Sequence, residues 1–158
     1  MRWILVAVGK LKDAHYRDGA AEYLARLARS RPFKLVEISD APVKPGREAA
    51  ALREEAERIR LACGGARIVA LTERGEQLST SQLAAKLGAQ EALGGDLAFV
   101  IGGANGLEGD LERGADWQLA LSALTLPHQL ARVVLLEQLY RVETMRRGEP
   151  YHRAGTVG

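Results

Sequence analysis

Four segments of the chain combine residue types able to do chemistry with spacings that could gather them in one place. The first is Ile101-Gly102-Gly103-Ala104-Asn105-Gly106, three glycines directly after an apolar run. Glycines so placed permit tight turns and positive φ, and they open bare backbone amides to a ligand. The spacing is not the G-x-G-x-x-G of dinucleotide-binding loops. That fingerprint normally follows the first strand, where this chain offers only Gly9. Taken alone, the glycines also read as a plain tight turn. The second segment, residues 119–128, is apolar with interspersed hydroxyls and leads directly into a helical pattern. It can present backbone N–H and C=O groups to a flat heterocycle while its leucines form an apolar slot. It also reads as a strand followed by an N-capping turn, with Thr125 as the cap.

The third segment is the helical pattern over 127–147. Leu130, Val133, Val134, Leu135, Leu136 and Leu139 make its middle apolar nearly all round. Covering one face of a sheet needs only a stripe, so the remaining apolar surface suggests a second subunit as partner. His128, Arg132, Glu137, Tyr140 and Arg141 add polar groups, and Glu137 and Arg141 are spaced for an i,i+4 ion pair. The fourth segment is Glu149-Pro150-Tyr151-His152-Arg153. Its side chains offer stacking, proton transfer and phosphate pairing. Its nearness to the terminus reads by itself as a disordered tail.

The elements that must position these segments alternate along the chain. Strand-like runs cover residues 2–9, 33–38, 67–72, 97–101 and 117–121. Helix-like runs cover 17–29, 47–62 and 107–113, besides the long last helix from Pro127. Ala20, Leu24 and Leu27 share one face of the first. A further helix opens at a capping box, Ser79-x-x-Gln82, and runs to about residue 93. Strands alternating with helices imply an α/β fold: a mostly parallel sheet with helices on both faces. No repeat or linker divides the chain, so residues 1–158 read as a single domain with a tail over 148–158. The loop over 39–47 is the most mobile-looking internal stretch. Ligands in such sheets bind beyond the carboxyl ends of the strands. Three strand ends qualify: Leu71-Thr72, Gly102-Gly103, and the stretch after Leu121.

Composition narrows the class further. The chain of 158 residues is 47% hydrophobic, enough for a full core without staples. Its single cysteine, Cys63, excludes an internal disulfide and suits a reducing cytoplasm. The apolar N-terminus lacks a cleavage pattern and is shorter than the ~20 residues of a membrane span, so it reads as a buried strand. A net charge of +2 does not by itself announce nucleic acid, although Arg26, Arg29 and Arg31 cluster, as do Arg141, Arg146, Arg147 and Arg153.

Together these stretches resemble the RlmH family, small SPOUT-class methyltransferases of large-subunit ribosomal RNA. The matching residues run through the whole chain: 5–10, 67–71, 101–107, 121–128, Glu137-Gln138-Leu139-Tyr140-Arg141, and the closing Pro150-Tyr151-His152-Arg153. The resemblance implies a C-terminal trefoil knot and S-adenosylmethionine as cofactor. By motif, the cofactor would be held by Leu71, Gly103, Ser122, Ala123, Leu124, Thr125, Leu126 and Pro127. It implies a homodimer through the last helix, no metal, and no membrane. The substrate would be a pseudouridine in a stem-loop of 23S ribosomal RNA, methylated at N3 within the assembled ribosome.

N3 must lose an imide proton before it attacks, so a base or a cation nearby is needed. His152 is the first candidate base and His128 the second. Arg153 and Arg141 are candidates for phosphate or imide-anion contacts, and Tyr151 for stacking on the target base. In a dimer the tail of one subunit could complete the site of the other. A valine at Gly103 is expected to block the slot with its side chain. The residues after Arg153 depart from the family ending and are expected to be disordered. The rival class is a non-catalytic RNA-binding or ribosome-associated module, which needs no cofactor slot. A flavodoxin-like binding protein ranks last, because residues 10–13 offer no cradle for a phosphate.

Overall fold

The computed structural model describes residues 1–153. Five strands alternate with five helices: β1 Trp3–Val8, α1 Ala14–Ser30, β2 Phe33–Ile38, α2 Glu48–Cys63, β3 Arg67–Gln77, α3 Thr80–Ala92, β4 Leu97–Ile101, α4 Gly109–Gly114, β5 Trp117–Ala120 and α5 His128–Arg146. All strand pairs are parallel, in the order β2-β1-β4-β3-β5. The expected α/β sheet is therefore present.

The period-2 pleat sorts β1 into two cores. Trp3, Leu5 and Ala7 face Leu27, Leu87, Leu135 and Leu139 from α1, α3 and α5. Ile4, Val6 and Val8 face Ala56, Ile59 and Leu111 from α2 and α4. Both faces of the strand are covered, which is why all six of its residues are buried and none is polar. The helices after β1 and β3 lie on one face and those after β2 and β4 on the other. The chain thus leaves the neighbouring strands β3 and β4 in opposite directions. A crevice opens between such strand ends.

Several local expectations change. β3 does not stop at Thr72 but continues to Gln77. Leu71 and Glu76 both pair with Leu119 of β5, so residues 72–75 leave the ladder as a bulge before pairing resumes. Gly75 makes the return possible. A Cβ there would sit 2.6 Å from the carbonyl carbon of Leu119. The α3 capping box forms as expected: Ser79 Oγ accepts from Gln82 N–H and Gln82 Oε1 accepts from Ser79 N–H. Thr125, in contrast, caps no helix among the described residues. Pro127 is the N-cap residue of α5, without a side-chain cap bond, and Ser122 Oγ accepts from Leu124 N–H to turn the preceding segment. α1 begins at Ala14, earlier than the apolar pattern suggests. The loop after β2 is tied at its start, with Ala41 buried and Arg58 donating to Ser39 O.

At the opposite end of the sheet, four charges knit three helices. Arg31 donates to Glu91 and to Glu143, each at 2.6 Å, and Arg146 also pairs with both acids. The Arg31 guanidinium lies 3.6 Å from the centre of the Trp3 ring. This network fixes the ends of α1, α3 and α5 away from the crevice.

Candidate functional site

The bulge within β3 and the carboxyl ends of β4 and β5 surround a cavity of about 480 Å³. That is within the usual range for a small-molecule site. Its walls are apolar where strands end, with Leu71, Ile101, Leu119, Leu121 and Leu126 contributing. Ser122 and Thr125 add hydroxyls, His128 and Ala131 close one side from α5, and Gly102, Gly103, Ala104, Gly106 and Leu107 contribute much of another. The three stretches singled out from the sequence thus meet at one place, although Leu71-Thr72 opens a bulge within β3 and does not end the strand.

Two glycines of the β4 loop have different reasons to be glycine. Gly102 packs against the chain that returns at Gly106. A Cβ on it would lie 2.5 Å from Gly106 O and 2.6 Å from Gly106 C. Gly103 accepts the bond that closes the turn, from Gly106 N–H at 3.0 Å. Its missing Cβ faces Val8 and Asp40 at 3.2 Å. A valine there would therefore press on β1 and the β2 loop. The expected block by its side chain becomes an indirect one, through displacement of the loop. Gly106 itself is held at φ +75°, where L side chains are disfavoured.

Seven of the eight expected cofactor residues line the cavity: Leu71, Gly103, Ser122, Leu124, Thr125, Leu126 and Pro127. Ala123 does not; it is exposed at the turn. Leu124 is 75% exposed although it lines the cavity, which places it at the rim. Beyond Thr72, nothing in the sequence pointed to what the β3 bulge contributes. Thr72, Glu73 and Arg74 all line the cavity, and so does Glu112 from α4. Glu112 is buried. It accepts from Thr72 Oγ1 at 2.9 Å and from Arg74 Nε and Nη2 at 2.8 and 2.6 Å. Burial would raise its pKa, but the bonds from Arg74 and Thr72 outweigh that and hold the carboxyl below its ordinary value. An acid in the short pattern at 107–113 gave no sign of this, because both partners lie about 40 residues away on β3.

The tail residues are placed elsewhere. Tyr151 folds back on its own chain, its ring 4.8 Å from that of Tyr140 and its hydroxyl 3.2 Å from Glu137 Oε1. Arg141 covers the Tyr151 ring and comes within 3.5 Å of His152 Nδ1. Burial first, then Tyr23 and Glu137, pushes the Tyr151 phenol well above its ordinary pKa. The reading of this segment as a disordered tail is corrected as far as Arg153, the last described residue. Residues 154–158 lie outside the described part, and the expectation for them with it. None of Tyr151, His152 and Arg153 lines the cavity. Arg141 is ten residues beyond Ala131 on α5, or roughly 15 Å along the helix axis. Of the two candidate bases, only His128 lies at the cavity of its own chain.

The expected i,i+4 pair forms between Glu137 and Arg141 at 2.6 Å, partly buried beneath the tail. Arg132 is buried and reaches Glu37 at 2.6 Å and the Gly9 carbonyl at 2.8 Å, fixing α5 to the ends of β1 and β2. Leu130, Val133 and Val134 remain only half-buried within one chain. Among the described residues, no group of His, Cys, Asp or Glu side chains could hold a metal ion. No described helix is long and apolar enough to cross a membrane.

Known proteins are similar to this chain over nearly its whole length. A family model described as "Predicted SPOUT methyltransferase" matches residues 1–152. A protein from Nitrosospira multiformis named ribosomal RNA large subunit methyltransferase H is 43% identical over 156 residues, covering 98% of this chain and 100% of that protein. A protein of the same name from Ralstonia nicotianae is 43% identical over 155 residues, covering 97% and 99%. Among solved structures, a tRNA (m1G37) methyltransferase from Aquifex aeolicus superposes with a TM-score of 0.57 at 13% identity, covering 99% of this chain and 76% of that one. TrmJ from Z. mobilis superposes at 0.52 with 18% identity, covering 89% and 69%. These two structural likenesses concern the fold.

Proposed function

The chain belongs to the SPOUT methyltransferase family, and from that premise we propose that it transfers a methyl group from S-adenosylmethionine to N3 of a pseudouridine in a stem-loop of 23S ribosomal RNA. The observation that carries the reading is the cavity itself. Leu71, Gly103, Ser122 and residues 124–127, distant in sequence, line one pocket of about 480 Å³. The residues fit the cofactor. The leucines form walls for an adenine, Ser122 and Thr125 offer hydroxyls to its polar edges, and the glycine turn removes the side chains that would cover its amides. When bound, S-adenosylmethionine supplies a methyl group on a sulfonium, a good leaving group in an in-line displacement.

What remains for the protein is to orient the base, exclude water and accept one proton. N3 gives up its imide proton to the base before it attacks, and the N3–methyl bond then forms as the sulfur–methyl bond breaks. Two histidines are candidates for that base. His128 stands at the cavity of its own chain. His152 is held beside Arg141. In our reading it serves the cavity of a second copy, together with Tyr151 and Arg153. The half-buried Leu130, Val133 and Val134 on α5 support a homodimer through that helix. Tyr151 would then present its ring to the target base, and Arg153 a cation to the RNA. The reading includes the C-terminal trefoil knot of the family, the assembled ribosome as target and the cytoplasm as location.

The test is methyl transfer from labelled cofactor to ribosomes lacking the modification, followed by mass mapping of the labelled nucleotide. His152→Ala should keep cofactor binding and lose transfer. Mixing it with a subunit defective in cofactor binding should restore part of the activity if the tail acts across the dimer. Label found outside 23S ribosomal RNA would refute the substrate. Full activity of His152→Ala would remove that residue as the base.

A further inference from the structure

Arg74 is the one arginine or lysine among the described residues that line the cavity. It rides on the β3 bulge, which returns to the ladder at Glu76. Its guanidinium is clamped along one edge. Nε and Nη2 each donate to a different oxygen of Glu112, at 2.8 and 2.6 Å. Glu112 is anchored in its turn, buried on α4 and bonded to Thr72 Oγ1. Nη1 and the outer proton of Nη2 form the opposite edge, which has no hydrogen-bond partner among the described residues. The side chain is 75% exposed, against 8% for Glu112.

A guanidinium fixed by one edge and open at the other is a preorganised receptor for a second carboxylate. It has five donors in a rigid plane and uses two of them here. Ordering the side chain beforehand removes much of the entropy cost of that contact. The amino-acid end of S-adenosylmethionine carries such a carboxylate, which would lose hydration in an apolar slot and needs a donor there. We propose that Arg74 binds the α-carboxylate of the cofactor, with Glu112 as the residue that positions it. The pair thereby selects a ligand with an amino-acid end over a bare nucleoside. The inference rests on the cofactor reading above.

Calorimetric titration of the full chain with S-adenosylmethionine and with 5′-methylthioadenosine separates the possibilities, because the second ligand lacks the amino-acid end. Arg74→Ala should weaken S-adenosylmethionine by about tenfold and leave 5′-methylthioadenosine within about twofold of the unsubstituted chain. Arg74→Lys should recover part of the loss, since a point charge remains without the fork. Glu112→Gln should move the first ligand in the same direction and spare the second. Equal weakening of both ligands by Arg74→Ala would overturn the inference, since the residue would then only shape the wall. Unchanged binding of both, with weaker binding of RNA, would also overturn it and assign Arg74 to a phosphate. If the unsubstituted chain bound neither ligand, the cofactor reading would fall and this inference with it.

Discussion

Gly102→Ala tests the cavity by the smallest possible change. The added Cβ would meet Gly106 O at 2.5 Å, Gly106 C at 2.6 Å and Leu107 N at 3.0 Å. All three atoms are backbone, so none can swing aside as a flexible side chain would. To reach an ordinary contact of 3.4 Å, the two limbs of the loop must part by about 0.9 Å. The bond from Gly106 N–H to Gly103 O closes the segment that would have to open. Overpacking of this kind costs ~1–3 kcal/mol. The displacement falls on a wall of the cavity, so S-adenosylmethionine should bind at least about tenfold more weakly, a change of ~1.4 kcal/mol. Gly88→Ala is the matched control. It lies within α3 and its Cβ would find no heavy atom within 4 Å. That variant should gain ~0.5–1 kcal/mol of stability and bind normally. Calorimetric titration and thermal unfolding of both variants give the two readouts. If Gly102→Ala bound the cofactor as tightly as the unsubstituted chain and melted no earlier, the steric reasoning would be wrong.

Two further perturbations bear on the frame. Ser79→Ala removes one half of the α3 capping box and leaves Gln82 N–H without its acceptor. It should cost ~1 kcal/mol, read as a lower denaturation midpoint at unchanged slope. Glu91 is held down at about 2 by Arg146 and then Arg31, against its burial. A carboxyl lowered on folding stabilises the protein above its unfolded pKa of ~4.5 and loses that contribution as pH falls toward the folded value. The melting temperature should drop between about pH 5 and 2, with Glu91 responsible for ~1–2 kcal/mol after screening. Glu91→Gln should flatten that limb, and an acid limb equally steep in the variant would exclude Glu91 as its source.

Local patterns in the sequence anticipate much of this molecule. β4 begins and ends where its apolar run does, because it is buried on both sides and carries no polar interruption; β2 keeps its expected bounds although Lys34 and Glu37 interrupt it. Ser79 and Gln82 announce α3 because a capping box is complete within four residues. The misses all depend on partners far along the chain. Residues 73–77 are too charged to read as a strand, and Glu76 and Gln77 pair only because β5 lies beside them. Glu112 is recognisable as a buried acid only once Thr72 and Arg74 are known to reach it. Tyr151 looks like part of a loose end until Tyr140 and Glu137 are seen to receive it. Thr125 has the right residue type for a cap, but Pro127 lies two positions later and sets the helix start. The slot was readable by motif because its residues sit at the ends of apolar runs. Arg74 was not, because nothing local distinguishes it from any other exposed arginine.

The detour of β3 around residues 72–75 has a consequence for how this site can diverge. The ladder is interrupted at Leu71 and taken up again at Glu76, against the same residue of β5. Residues in the detour therefore carry no register. Provided a glycine stays at the return, where Gly75 passes the Leu119 backbone, the stretch could lengthen, shorten or change its charges while the strands on either side kept their pairing. Relatives with one sheet could in this way present different cavity walls to one cofactor, with the variation concentrated in a few residues between two fixed points.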